Sequence, residues 1–408
     1  MDFALPYTEE QERFRQEVRA WLAENVDEDK REPVDPEMDF TDELGQYWRE
    51  KYREIAAKGW LYPTFPTEYG GGGLTGDHET IIDEEFSRAH IPSHVNNVLA
   101  VPAILVWGTE EQKRKFLPAI MKADQVCWQK FTEPHSGADL ADYQSRAVRD
   151  GDDWLLTGSN VFIGAHGETD WLFGPMLTDP DAPRHRNLGF FMIPVPSEGL
   201  QINEMDLLIG HRKRAIFLDN VRVPADHLIG GDHQGWQVAN TSLEQEHGGR
   251  GRAFPRDKVV DNLVTYVQET KHDGGTLGSD PVVQQMTIDA VIDSHVDSLL
   301  AKRTYWMYQN RMQMSYEGNV ANVHNRESDL RSASRARDVM GMYALLGTKD
   351  PGAPYEGLQE VNQRGKAGQR HAGGSTNIAK VVLARRIGIS RTQERAAPTP
   401  STATSHGG

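Results

Sequence analysis

Cysteine is nearly absent from this 408-residue chain, and Cys127 is the only one. A single thiol excludes an intrachain disulfide framework and suits a reducing cytoplasm. Its simplest role is a buried apolar side chain in a strand. Positive charge is also short: 44 Lys and Arg face 60 Asp and Glu, for a formal net charge of −16. That balance argues against nucleic acid or an anionic membrane surface as a partner, while local basic groups can still hold an anionic ligand. No apolar run reaches the roughly 18 residues of a membrane span, so no membrane insertion is predicted. Metal-ligand spacing is missing too. His211, His233, His247 and His371 are scattered, without an H-x-x-x-H or C-x-x-C pattern, which predicts no metal. No G-x-S-x-G elbow supports a hydrolase. Gly70 to Gly73 lack the Lys-Ser/Thr of a phosphate-binding loop. Residues 1–6 show neither the basic nor the apolar region of a secretory signal, and a cytoplasmic location is the expectation.

What is present falls into three blocks. Residues 8 to about 122 read as helices. Thr8 with Gln11 and Thr109 with Gln112 have the spacing of capping boxes. Phe14, Val18, Trp21 and Leu22, then Leu44, Trp48, Tyr52 and Ile55, recur at helical spacing. From about Val126 the pattern shortens to β-like runs. Asp150-Gly151 reads as a hairpin turn, and the segments 171–173, 188–193 and 215–218 read as further strands. Helical period returns at Gln234, over 235–270, 281–311, 328–346 and 375–390, with Pro281 placed for a first helical turn. The expected fold class is α+β multidomain: an N-terminal helical domain (1–124), a middle β domain (125–233), a C-terminal helical bundle (234–393) and a disordered tail (394–408).

The most informative stretch is Phe131-Thr132-Glu133-Pro134-His135-Ser136-Gly137-Ala138-Asp139-Leu140, followed by Asn160-Val161-Phe162-Ile163-Gly164. Small residues at 136–138 let backbone N–H groups come close to a polar or anionic cofactor, and Phe162 offers a face for a planar ring. The stretch resembles the flavin-contacting signature of the acyl-CoA dehydrogenase family, T-E-P-x-A-G-S-D and N-G-x-K-x-W-[IT]-[TS]. Weaker likenesses, in order, extend over nearly the whole chain. They include Gly59-Trp60, Gly108 to Gln112, Asp219 to Asp226 and Ala372 to Ile378. The resemblance implies a helical domain, a β-barrel and a four-helix bundle around FAD. Phe131 and Thr132 would then line the flavin ring, with Gly137 and Ala138 by the phosphates or ribityl chain. Phe162 would stand for a Trp that packs on the ring, and Gly164 for a Thr or Ser near flavin N5. Ser375 and Asn377 would lie at the adenine end; Ser375 could equally cap the last helix.

The resemblance also fixes where a catalytic base could be. Family members place a Glu either before the last helix, where this chain has Gly373, or on the first helix of the C-terminal bundle, where it reads Leu243-Glu244-Gln245-Glu246-His247. Glu246 takes the position of the base, with Glu244 as the fallback. On the residues alone Glu246 could be a solvated glutamate paired with Arg250 four residues on. His247 stands where an Arg usually helps bind coenzyme A, and Arg250, Arg252 and Arg256 are nearby cations. Two departures affect the cofactor. Lys271 to Leu277 lacks the family's phosphate-pairing Arg, a contact worth on the order of 1.5–3 kcal/mol. Ala344 to Gly347 lacks a Gln that serves a neighbouring subunit's FAD.

These features imply FAD-dependent conversion of an acyl-CoA to a trans-2-enoyl-CoA, with electrons leaving to an electron-transfer flavoprotein. A homo- or heterotetramer is the implied assembly. Two alternatives stay open: a non-catalytic or half-catalytic subunit of a heteromer, and a flavin oxidase or monooxygenase on the same fold.

Overall fold

The computed structural model describes residues 7–92, 95–164, 167–247, 258–369 and 375–390. The N-terminal block holds α1 (Glu9–Asn25), α2 (Asp42–Ala57), α3 (Gly76–Arg88), α4 (Val95–Trp107) and α5 (Glu110–Met121). Both expected capping boxes form. The Thr8 hydroxyl accepts from Gln11 N at 3.2 Å, while Gln11 Oε1 accepts from Thr8 N at 2.9 Å; Thr109 and Gln112 repeat the pair at the start of α5. Leu44, Trp48 and Ile55 turn one face of α2 into a core shared with Val18, Leu22 and Trp60. The glycine run at 70–73 is a close crossing of backbones. A Cβ at Gly72 would lie 2.2 Å from the Gly59 carbonyl oxygen.

The middle block is one sheet. Its strands are β1 (Cys127–Gln129), β2 (Arg146–Asp150), β3 (Asp153–Ile163), β4 (Trp171–Leu177), β5 (Leu188–Pro194), β6 (Leu200–Leu207), β7 (Gly210–Pro224) and β8 (Leu228–Ile229). Spatial order is β6-β7-β3-β2-β4-β5-β8, with β1 pairing parallel to β4. Asp150 and Asp153 pair across the expected turn. Among the described residues β6 and β8 end the ladder without pairing to each other, so the sheet is open where a barrel was expected. Cys127 is fully buried on β1, and burial holds its thiol in the neutral form by pushing its pKa well up. The main core runs from α4 and α5 through the sheet, with Ile104, Phe116, Leu172, Phe190 and Ile216 fully buried.

The C-terminal block holds α6 (Gly235–His247), α7 (Lys258–Glu269), α8 (Pro281–Gln309), α9 (Glu317–Met340), α10 (Leu358–Gln369) and α11 (Thr376–Arg386). The stretch expected as one helix at 235–270 carries two, and the short pair β9 (Lys271–His272) and β10 (Gly275–Thr276) follows them. Helix α9 begins eleven residues earlier than its apolar pattern suggested, and α10 was not expected. Pro281 opens α8 behind the Asp280 cap. This block has a small apolar core around Leu263, Ala290 and Ala336. Its helices are tied instead by charge. Arg331 grips Asp293 through two hydrogen bonds of 2.9 and 2.8 Å, and Arg335 adds a third at 2.6 Å. One side chain joins all three blocks. Arg364 of α10 donates to buried Asp35, to the Ile209 carbonyl beside the sheet at 3.0 Å, and to Glu360 on its own helix. The tail expected to be disordered lies outside the described residues.

Candidate functional site

The signature segment leaves β1 and crosses the end of β3. There the Thr132 carbonyl accepts two hydrogen bonds, from Val161 N at 3.0 Å and from Asn160 Nδ2 at 3.1 Å. Among the described residues neither the Thr132 hydroxyl nor its backbone N–H has a partner. The carbonyl is thus pulled into the protein while two donors of the same residue stay available. Gly137 lies against Thr132, its Cβ position 3.3 Å from Thr132 Cγ2, and Gly137 and Ala138 are exposed.

Glu133 holds this segment in place. Its buried carboxylate accepts from Gln144 N and Ser145 N, both at 2.7 Å, and from the Ser145 hydroxyl. Its backbone closes a turn with Ser136. Ser136 Oγ donates to the Asp139 carbonyl at 2.7 Å, and Arg184 pairs with the Asp139 carboxylate. The 136–139 loop is therefore built before any ligand arrives.

Phe131 is buried. Its ring meets Phe173 and Phe190 edge-on at 6.2 and 6.0 Å, so the side chain packs into the β core. Phe162 is 53% exposed and adopts a φ of +60°, an unusual conformation for a bulky residue, at the register shift between Asn160 and Ile163. Gly164 has a φ of +95°, and a Cβ there would meet the Trp128 ring at 3.0 Å. A threonine or serine at that position would be strained and crowded, which accounts for the glycine. Among the described residues the buried indole N–H of Trp128 has no partner. The two unused donors of Thr132, with the exposed Gly137 against its side chain, fit the polar edge of a planar cofactor such as FAD.

Two residues, Lys130 and Tyr143, went unmarked in the sequence. Lys130 is fully buried, its Nζ 2.9 Å from Tyr143 Oη, 3.1 Å from the Pro175 carbonyl and 3.1 Å from Met176 Sδ. Tyr143 Oη also accepts from Asn160 Nδ2 at 2.8 Å and donates to the Lys130 carbonyl at 3.0 Å. A lysine between Trp128 and Phe131 reads as an exposed position in an alternating strand, so only the fold shows it.

Helix α6 packs on α4 and β5. A Cβ at Gly235 would lie 2.5 Å from the Gly189 carbonyl, so backbone seats on backbone. Val238, Ala239 and Ser242 are fully buried, and Trp107 Nε1 donates to Thr241 Oγ1 at 2.9 Å. The side chains of Glu244, Glu246 and His247 lie outside the described residues, as do Arg250, Arg252, Arg256 and Gly373. Ser375 caps α11, its hydroxyl accepting from Ile378 N at 3.2 Å. Asn377 is exposed on the first turn of that helix, and no hydrogen bond among the described residues joins either one to the 131–164 segments.

Residues 8–124 match the model of the acyl-CoA dehydrogenase N-terminal domain, and residues 233–388 match that of the C-terminal domain. The chain belongs to the acyl-CoA dehydrogenase family. It is 26% identical to acyl-CoA dehydrogenase FadE26 of Mycobacterium tuberculosis, over 93% of this chain and 96% of that protein. Among solved structures, the Tcur3481-Tcur3483 steroid ACAD superposes with a TM-score of 0.83 at 25% identity, covering 97% of this chain and 100% of that one. The ChsE4-ChsE5 complex from Mycobacterium tuberculosis gives 0.82 at 24% identity, covering 96% and 100%. Both structures share the fold described above, and among the described residues no group of side chains is arranged to hold a metal ion.

Proposed function

We propose that this acyl-CoA dehydrogenase binds FAD and takes an acyl-CoA thioester to its trans-2-enoyl-CoA, passing electrons to an electron-transfer flavoprotein. The observation that carries the reading is Thr132, with its carbonyl fixed by Asn160 and Val161 and its N–H and hydroxyl unpartnered. When bound, the flavin supplies the acceptor for hydride from the substrate Cβ. Thr132 donates to its polar edge, Phe162 and Gly164 border its ring, and Gly137 and Ala138 let its chain lie close. Ser375 and Asn377 serve the adenine end. Glu246 on α6 takes the α-proton. Glu244, His247 and Arg250 border the coenzyme A. The likeness to a steroid ACAD over nearly the full length supports a bulky, ring-bearing acyl group.

A panel of acyl-CoAs added to the flavin-loaded protein tests this, with bleaching of the visible flavin spectrum as the readout. Glu246→Gln is expected to keep the cofactor and lose bleaching by a factor of at least about 10³. Undiminished single-turnover bleaching in that variant would remove Glu246 from the role.

A second reading is favoured by the exposed Lys271–Thr276 hairpin, which has no arginine where a phosphate-pairing one is expected. In that reading the chain is one subunit of a heteromer and its partner completes the site. Full flavin content in the chain purified alone would argue against it.

A further inference from the structure

Among the described residues Lys130 has no carboxylate in contact, yet its surroundings are fitted to a charged ammonium. Its three N–H groups face three acceptors: the Tyr143 oxygen, the Pro175 carbonyl and the Met176 sulfur. The tyrosine oxygen can accept, because its own proton is already given to the Lys130 carbonyl. A neutral amine has two N–H groups, so it would leave one acceptor unserved and bury an unpaired lone pair. Tyr143 is also the second acceptor of Asn160 Nδ2, whose other bond holds the Thr132 carbonyl. The lysine is thus two hydrogen bonds removed from Asn160 and three from Thr132, through groups that are all wholly or largely buried.

We propose that Lys130, acting through Tyr143 and Asn160, is a positioning residue that fixes the Thr132 carbonyl and thereby presents the Thr132 N–H and hydroxyl to the flavin. The inference rests on the reading of Thr132 as a flavin contact. The titratable groups facing Lys130 are Tyr143, which burial keeps neutral, and Glu133, which acts at a distance and is occupied by Gln144 and Ser145. Burial, only partly opposed by the charge of Glu133, brings the lysine down to about 7. Above that pH the ammonium gives its proton to solvent and the three-acceptor cage loses one bond. Flavin binding should therefore weaken as pH rises through neutrality.

The test uses the full chain, stripped of flavin and titrated with FAD from about pH 6 to pH 8.5, with quenching of flavin fluorescence as the readout. Wild type is expected to bind several-fold more weakly at the upper end. Lys130→Met keeps the length of the side chain and removes the charge. It should bind FAD about fivefold more weakly than wild type at pH 6, show no dependence on pH, and melt at the same or a higher temperature. A residue with only a structural role would lose binding and melting temperature together. Tyr143→Phe, which keeps the ring and breaks the relay, should weaken binding in the same direction. If both variants bind as wild type does, with the same pH slope, the relay is overturned while the flavin site stands. If wild type binds no FAD at any pH, the flavin site itself falls and the relay with it.

Discussion

Lys130 and Asp293 are both charged groups withdrawn from water, one inside the β sheet and one between α8 and α9, and they respond in opposite ways. Asp293 meets two guanidiniums, and these hold its carboxyl down to about 2, against the pull of burial. Lys130 meets only neutral acceptors, and burial carries it from 10.5 to about 7. Burial acts on both; the charge of the partners decides the outcome. A paired ion serves as a fixed tie between helices. An unpaired one, satisfied only by dipoles, becomes a group whose charge can change near neutrality.

The largest test of this contrast is the stability of wild type against Lys130→Met as pH rises. Between pH about 7 and 10.5 the unfolded chain keeps a lysine proton that the folded chain has released. Folded wild type should gain about 1.4 kcal/mol per pH unit relative to the variant, on the order of 5 kcal/mol over the window. Parallel curves in urea melts at each pH would mean that Lys130 has a hidden ionic partner. The next effect is at Asp293. Its lowered pKa contributes stability that is fully present above pH 3.8 and lost as pH falls through about 2. Asp293→Asn should cost about 2 kcal/mol at pH 7, and the two proteins should converge near pH 2 in the same melts. The smallest effect is at Asp338, whose pair with Arg337 is about half exposed on both sides. Asp338→Asn should change stability by less than about 0.5 kcal/mol, and a larger loss would show that burial is not what separates these charges.

Legibility in the sequence followed the range of the forces involved. Local rules were readable: the capping boxes at Thr8 and Thr109, the turn at Asp150, and Pro281 at a helix start all form. Elements stabilised by distant or ionic partners were not. Helix α10 carries Gly365 and Gly368 and few large apolar residues, and it is held by Arg364 and by Lys366 pairing with Asp329. The first half of α9 is polar because its inward face meets charges on α8. Strand β6 sits at the sheet edge with no fully buried side chain, so it lacks the apolar alternation of a core strand. At the site, the motif marked Thr132, Gly137 and Phe162. Nothing local connected Lys130 to Tyr143 thirteen residues on, or to Asn160 on another strand.

The clasp at Arg364 has a consequence for how the chain is made. Asp35 is 4% exposed and already receives backbone donors from Glu37 and Met38, yet among the described residues its charge is met by a guanidinium 329 residues further along. During synthesis the segment around Asp35 leaves the ribosome well before Arg364 and must wait for it before that carboxylate can be buried with its counter-ion. The first block can form its helices promptly, but its last docking step waits for α10.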